Sequence, residues 1–308
     1  MNPAESRNRL VGILSILFAV FVWVGWTVAS SYSVRAGLTA YDLTALRFGT
    51  AAGIMLPVVF RKGLRMGPWG IWGGLALALT MGATYNTITV SGMRFAPTSH
   101  ASGIIINTML VLTTAGAILF LKERTTRLRL CGIAISLAGI GCLLYAKGAS
   151  NSSPQDLMLG HALFLIGGAI WALNTLFIKA WKADPVHATA VICVISAVIY
   201  LPIYYVYLPS GINPQNYTQA AVQAVYQGFF NSVCAVFCFN RAVRLIGAST
   251  TSAFLPLIPV LSTLVAIPVM HEMPAAIEWL GLALAAIGVL LATGFLERWI
   301  GRATPQPQ

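Results

Sequence analysis

Residues 10–30 form a 21-residue run without a charged side chain, LVGILSILFAVFVWVGWTVAS, which follows Arg7 and Arg9. A helix of about 20 apolar residues is long enough to cross the ~30 Å hydrocarbon core of a bilayer. Basic residues before an apolar run are also typical of a signal peptide. This run, however, is longer than the apolar region of a signal peptide, and no clear small-residue cleavage site follows it. The run therefore predicts a first transmembrane helix.

The same pattern recurs along the whole chain. Apolar residues make up 57% of the 308 residues and charged residues only 9%, whereas soluble domains contain about 25% charged residues. This composition excludes a soluble enzyme, a disordered chain and a nucleic-acid-binding domain. Ten runs are long and apolar enough to span a bilayer, at residues 10–30, 42–60, 69–91, 98–121, 128–146, 157–178, 186–207, 219–240, 248–270 and 276–296. We therefore expect an all-α integral membrane protein with ten transmembrane helices.

The basic residues predict the orientation of these helices. Fifteen of the 19 Lys and Arg residues fall in loops on one side of the ten-helix arrangement, and Arg35, Arg94 and Lys147 fall on the other. Arg47 lies inside the second run. Because basic residues in short loops are retained in the cytoplasm, we expect both termini to be cytoplasmic. The basic excess then needs no nucleic-acid partner.

The second half of the sequence repeats features of the first at an offset of 148 to 150 residues. Trp23 recurs as Trp171, and a Glu-x8-Gly-x6-Gly pattern occurs twice, at Glu123, Gly132 and Gly139 and at Glu272, Gly281 and Gly288. We therefore expect two five-helix repeats, at residues 1–150 and 151–308. A repeat with an odd number of crossings must be inserted the second time upside down. Such inverted repeats are typical of secondary transporters.

The ten helices and the paired glycine motif resemble the drug/metabolite transporter superfamily, EamA type. The tryptophan-rich first helix, Phe21-Val-Trp-Val-Gly-Trp26, and the stretch Tyr85-Asn-Thr are similar to bacterial exporters of aromatic amino acids. The resemblance implies helices 1–4 and 6–9 around a central cavity, with helices 5 and 10 peripheral. It also implies export from the cytoplasm. The second copy of the motif, His271-Glu272-Met273, lacks the basic neighbours that flank Glu123.

The candidate substrate-binding residues are aromatic and amide side chains that lie inside the predicted spans: Trp23, Trp26, Tyr85, Asn86, Asn107, Trp171, Asn174 and Asn231. An amide in hydrocarbon is costly unless it is paired, so each Asn either bridges two helices or faces a wet cavity. Trp23 and Trp171 lie too deep for an interfacial aromatic belt, so they either line the cavity or pack in the core. An aromatic wall suits a planar or lipophilic solute.

Four residues are candidates for gating or coupling: His100, Glu272, Pro256 and Pro259. His100 either titrates near neutral pH or is an interfacial residue, and Glu272 either carries a proton or caps a helix end. The two prolines interrupt the predicted ninth helix, as a hinge or as a static kink.

Arg47 either attracts a substrate carboxylate or pairs with Asp42, and from the sequence we expect the ion pair. We find no enzyme motif, and the five cysteines lie in apolar runs with no zinc-binding spacing, so we expect neither a metal nor a cofactor.

The sequence thus favours a multi-pass secondary transporter of the bacterial inner membrane, a monomer that exports small amphipathic metabolites such as aromatic amino acids. The alternatives are an exporter of lipophilic cations or other metabolites with the same fold and, more distantly, a membrane-embedded lipid enzyme or a passive pore.

Overall fold

The computed structural model describes residues 3–122, 125–146 and 153–293, and every regular element in those ranges is helical. In chain order the α-helices are α1 (Pro3–Arg35), α2 (Ala40–Lys62), α3 (Ile71–Met81), α4 (Ala83–Gly92), α5 (Thr98–Leu119), α6 (Arg127–Tyr145), α7 (Pro154–Ala180), α8 (Pro185–Tyr207), α9 (Tyr217–Gln223), α10 (Ala235–Ile246), α11 (Ala248–Ser252), α12 (Leu257–Met270) and α13 (Ala276–Ala292). A 3-10 turn (Gly67–Trp69) precedes α3, and a π-helix (Ala224–Cys234) joins α9 to α10. The prediction of an all-α chain is confirmed for these residues.

Eight helical stretches of the described residues are long and apolar enough to cross a membrane. They are Ser6–Arg35, Ala40–Lys62, Thr98–Leu119, Arg127–Tyr145, Pro154–Ala180, Pro185–Tyr207, Tyr217–Ile246 and Thr250–Met270. These stretches match eight of the ten predicted spans, and they make the chain a multi-pass membrane protein.

The two other predicted spans contain shorter helices. The span at residues 69–91 consists of α3 and α4, of 11 and 10 residues, which meet at Gly82. A Cβ at Gly82 would overlap the Ser196 hydroxyl of α8 and the carbonyl oxygen of Ala78, so only glycine allows α8 to approach this break. The last span is the 17-residue helix α13, which ends next to residues outside the described ranges. The number of ten crossings and the cytoplasmic termini stay predictions.

The predicted eighth and ninth spans contain further irregular backbone. The eighth runs from α9 through the π-helix into α10 without interruption. The ninth is divided into α11 and α12, and Pro256 is the N-cap residue of α12 while Pro259 is buried in its first turn. The interruption expected at the two prolines is present. Whether it acts as a hinge stays a prediction.

The glycines of the repeated motif pack α6 directly against α13. A Cβ at Gly139 would lie 2.8 Å from the carbonyl oxygen of Gly281, and one at Gly132 would lie 2.7 Å from that of Gly288. In the sequence repeat, Gly132 corresponds to Gly281 and Gly139 corresponds to Gly288. Gly139 therefore packs on the counterpart of Gly132, and Gly132 packs on the counterpart of Gly139. A two-fold pseudosymmetry axis between two antiparallel helices produces such reciprocal contacts.

Outside this pair, helices from the two halves of the chain interleave. Helix α1 packs against α10 and α12, α2 against α8 and the π-helix, and α5 against α7. Helices α6 and α13, which are the fifth and tenth predicted spans, pack mainly on each other and on α5. The family resemblance implies such a peripheral position for these two spans. Glu123, with Arg124, Lys147, Arg298 and Arg302 of the charge pattern, lies outside the described residues.

We expect Gly139→Leu to lower the free energy of unfolding by roughly 1–3 kcal/mol, the usual cost of overpacking. The added side chain would meet the backbone of α13, which cannot rotate away. Thermal unfolding of the purified protein in detergent measures the effect. Gly141→Leu is the matched control, because a Cβ at Gly141 in the same helix meets nothing within 4 Å. Equal melting temperatures for the two variants would contradict this packing.

Candidate functional site

Arg47 lies about two turns inside α2, and its hydrogen bonds within the described residues go to neutral groups. Its Nε donates to the Ser232 hydroxyl at 3.1 Å, and its Nη1 donates to Asn86 Oδ1 at 2.8 Å. Asn86 Nδ2 donates to the hydroxyl of Thr44 at 2.9 Å, which orients the amide oxygen toward the guanidinium. These bonds use two of the five N–H donors that an arginine carries, and the guanidinium makes no further hydrogen bond within the described residues.

The expected ion pair between Arg47 and Asp42 is wrong. The Asp42 carboxylate instead accepts the Tyr204 hydroxyl at 2.6 Å, the Ser210 hydroxyl at 2.8 Å and the N–H of Gly211 at 2.9 Å. The ion pairs within the described part of the chain join Arg35 to Glu272 and Lys62 to Asp184. Arg47 belongs to none of them, so its charge is not neutralised by a described carboxylate.

An aromatic cluster lies near this polar group. Its members are Trp26, Tyr85, Trp171 and Tyr226. Tyr85, which directly precedes Asn86, meets Trp171 edge to face with ring centroids 5.7 Å apart. Trp26 is 8% exposed, and its indole N–H has no hydrogen-bond partner among the described residues. The arrangement therefore combines aromatic surface with a cationic group, as the binding of an aromatic anion requires.

The π-helix brings a tyrosine and a serine from the second half of the chain to this site. The Tyr226 hydroxyl donates to the carbonyl oxygen of Val22 at 2.7 Å, and a Cβ at Gly25 of α1 would overlap that hydroxyl. Ser232, six residues further along, accepts a hydrogen bond from Arg47 Nε. π-helical turns are rare and are frequent at functional sites.

The other sequence-predicted residues have different surroundings. Trp23 contacts Phe239 of α10 with ring centroids 5.5 Å apart. Asn174 bridges α7 to α3, donating to the Leu77 carbonyl at 3.4 Å and the Thr80 hydroxyl at 3.1 Å. This is the helix-bridging alternative.

The remaining two amides are buried. Asn107 donates to the carbonyl oxygen of Gly103 at 2.7 Å, while its own Oδ1 has no partner in the described ranges. Asn231 directly precedes Ser232 in the π-helix. Roles for these amides in substrate binding stay predictions.

Glu272 joins three parts of the molecule at one end of the bundle. It accepts from Arg35 Nη2 at the end of α1, at 2.5 Å, and from the N–H of Thr98 at the start of α5, at 3.0 Å. His100, in the first turn of α5, is fully buried within the protein, and its Nδ1 lies 2.8 Å from Nε2 of His161.

A second ion pair joins the two halves of the chain at the C-terminal end of α2, at the opposite end of the bundle from Glu272. Lys62 Nζ lies 2.5 Å from the carboxylate of Asp184, the N-cap residue of α8. The hydrogen bond from Lys62 lowers the pKa of Asp184. Both groups are about half exposed, so the pair is weak and easily separated.

A cavity of about 350 Å³ lies between the α3–α4 break and α8. Apolar side chains line most of it, and Thr87 and Tyr200 contribute hydroxyl groups. The Thr87 hydroxyl bonds that of Thr44 at 3.1 Å, so hydrogen bonds through Thr44 and Asn86 connect the cavity wall to Arg47. Within the described residues, no group of three or more His, Cys, Asp and Glu side chains is arranged to hold a metal ion.

Comparison with known proteins identifies the family. The model of the EamA-like transporter family matches this chain twice, at residues 10–145 and 158–294. The chain belongs to the EamA-like transporter family. The two matches also establish the two EamA repeats.

This chain is similar to three transporters over nearly its whole length. The uncharacterized transporter YyaM of Bacillus subtilis is 24% identical over 94% of this chain and 96% of its own length. The uncharacterized inner membrane transporter YedA of Escherichia coli K12 is 23% identical over 97% and 95%. The "Probable terminal-alkyne amino-acid exporter" of Streptantibioticus cattleyicolor is 25% identical over 94% and 95%. A crystal structure that is 20% identical covers 96% of this chain and 99% of its own, with a TM-score of 0.61, which supports the fold alone.

The polar and aromatic groups around Arg47 come from both EamA repeats. Arg47 and Tyr85 belong to the first match, and Trp171, Tyr226 and Ser232 belong to the second. Tyr226 and Ser232 are not among the site residues predicted from the sequence. Two pairs of polar residues in an apolar span, Tyr226-Gln227 and Asn231-Ser232, are the signal that would have found them.

We expect Gly25→Ala to lower the melting temperature, because the new methyl group would displace the Tyr226 hydroxyl from α1. Removing that hydroxyl relieves the worst overlap, so the double variant Gly25→Ala/Tyr226→Phe is expected to melt above Gly25→Ala. Gly25→Ala is expected to lower the free energy of unfolding by roughly 1 kcal/mol or more. Gly53→Ala, at an α2 position with nothing within 4 Å, is the control. A double variant no more stable than Gly25→Ala would contradict the proposed contact.

Proposed function

We propose that this protein exports small amphipathic metabolites that carry a carboxylate, aromatic amino acids above all, across the bacterial inner membrane by alternating access. The observation that carries the proposal is the unneutralised guanidinium of Arg47 beside Tyr85 and the aromatic cluster. A charged side chain inside a transmembrane helix is costly and marks a substrate or ion pathway.

The chemistry of the site suits an aromatic amino acid. Arginine binds a carboxylate through two parallel N–H donors, and an aromatic wall stacks against a planar ring. A lipophilic cation would gain the same aromatic contacts but would be repelled by Arg47. The positive charge therefore favours an amino acid over the cation-exporter alternative. One relative, named as a probable exporter of a terminal-alkyne amino acid, is consistent with this class of substrate.

The ion pairs that join the two halves suit alternating access. Arg35–Glu272 and Lys62–Asp184 lie at opposite ends of the bundle, and each joins a residue of the first half to one of the second. In the proposed cycle the halves rock about the inverted-repeat axis, and one ion pair opens while the other is closed. Both termini stay on the cytoplasmic side.

We expect Arg47→Gln to raise the KM for labelled phenylalanine about 10- to 100-fold, because a hydrogen bond to a charged group contributes about 1.5–3 kcal/mol. Glutamine retains a donor to Ser232 but has no charge for a carboxylate. Counterflow of phenylalanine in proteoliposomes measures the change. Arg61→Gln is the matched control, since Arg61 is an exposed residue of the same helix. An unchanged KM in Arg47→Gln would remove this residue from the substrate site.

We expect Trp171→Ala to reduce the rate of phenylalanine counterflow without lowering the amount of protein in the membrane, because the ring contacts Tyr85 within the aromatic cluster. The Trp72→Ala variant removes a 70% exposed indole and is expected to transport like the wild type. Transport by Trp171→Ala at the wild-type rate would show that this ring only fills the core.

A further inference from the structure

Three ionisable side chains from three helices meet in the interior, away from Arg47. His100 of α5 is 0% exposed, Glu278 of α13 is 1% exposed and His161 of α7 is 6% exposed. His100 Nδ1 lies 2.8 Å from His161 Nε2, and His100 Nε2 lies 3.5 Å from Glu278 Oε1. The three groups form a continuous line with His100 in the middle, which we call the buried triad.

The buried triad lacks the hydrogen bonds that a permanently charged carboxylate needs. Glu278 Oε2 accepts a bond of 3.2 Å from the Ser99 hydroxyl. Glu278 Oε1 and His100 Nε2 have no hydrogen-bond partner within the described residues and face each other across the 3.5 Å gap. Burying a carboxylate with so few donors is unfavourable. A proton on the carboxylate or on the facing imidazole removes that cost.

We propose that the buried triad binds the proton whose movement is coupled to export. The inference rests on the proposed function and adds its driving ion. A proton that binds His161 Nδ1 allows the proton on His161 Nε2 to pass to His100 Nδ1, and the proton on His100 Nε2 then passes to Glu278 Oε1. Each imidazole gains one proton and loses one, so the net result is one proton moved to the carboxylate.

The other charged groups near the buried triad have partners of their own or lie in solvent. Glu272, before α13, is bonded to Arg35 of α1 and to the N–H of Thr98. Asp156, in the first turn of α7, accepts from the Ser153 hydroxyl at 2.8 Å. Tyr145, the last residue of α6, is 82% exposed, and His271, the C-cap residue of α12, is exposed as well. The proposed proton site is therefore confined to the three buried groups.

The position of the buried triad explains how a proton would affect transport. His100 and Ser99 directly follow Thr98, whose N–H holds Glu272 in its pair with Arg35. Neutralising Glu278 removes a negative charge from the same end of α5 and α13. A change of one charge in this weakly solvated region acts strongly on a neighbouring ion pair. Proton binding is thereby linked to the contact that closes this end of the bundle.

The test uses the full-length protein in proteoliposomes and two transport assays. Counterflow of labelled phenylalanine needs no gradient, whereas accumulation under an inside-acid gradient reports proton coupling. We expect the wild type to show both. Glu278→Gln, which mimics the protonated carboxyl group, is expected to retain counterflow and to lose the acceleration by the gradient. Asp156→Asn, an exposed carboxylate of the same region, is the matched control and should retain both.

An infrared experiment detects proton binding to the carboxylate without any substrate. Infrared difference spectra of the wild type between high and low pH are expected to contain a protonated-carboxyl band that disappears in Glu278→Gln and titrates at a different pH in His161→Gln. A merely structural triad would leave that midpoint unchanged.

The outcomes separate the two proposals. Phenylalanine counterflow in the wild type with no effect of the gradient overturns proton coupling and leaves the proposed function intact. Absence of counterflow overturns the aromatic substrate, and the infrared titration then decides the triad by itself. A wild-type spectrum without a Glu278 band overturns the proton site.

Discussion

A positive charge within a transmembrane helix must be stabilised by neighbouring groups, and the proposed binding site depends on how the neighbours of Arg47 do so. Its neighbours are an amide oxygen and a hydroxyl, which satisfy hydrogen bonds without cancelling charge. Asp42, the nearest carboxylate in the sequence, instead accepts hydrogen bonds from Tyr204, Ser210 and Gly211 at the start of α2. The uncancelled charge makes the site attractive to an anion, and the adjacent aromatic cluster gives it an apolar side.

Small residues and irregular backbone make this arrangement possible. Glycines allow α6 and α13 to touch through their backbones, which fixes the relation between the two EamA repeats. The break at Gly82 divides the third predicted span just before Tyr85 and Asn86, and the π-helix shifts the register of the eighth so that Tyr226 meets α1 and Ser232 meets α2. Tyr85 and Asn86 thus follow a helix break, and Tyr226 and Ser232 lie in the π-helix, whereas Arg47 lies in a regular α-helix.

The helical class, most span positions and the paired glycine motif can be predicted from the sequence because they follow from local composition and a constant offset. Asn86, Tyr85 and Trp171 can also be predicted, since polar or aromatic residues inside apolar runs are conspicuous. The partner of Arg47 could not be predicted, because the choice between a nearby carboxylate and distant neutral groups depends on how α2, α4 and the π-helix pack. Glu278 and His161 were missed for a related reason: each lies near the start of a predicted helix, where ionisable groups normally face water, and only the fold buries them together.

The central claim is that the interior selects a carboxylate through Arg47, and comparison of two substrates by the wild-type protein tests it most directly. Phenylalanine and 2-phenylethylamine share the aromatic ring and the amine but differ in the carboxylate. In proteoliposomes loaded with unlabelled phenylalanine, the account predicts saturable counterflow of labelled phenylalanine that excess 2-phenylethylamine does not inhibit. Equal inhibition by the amine, or uptake of phenylalanine that does not saturate, would contradict it.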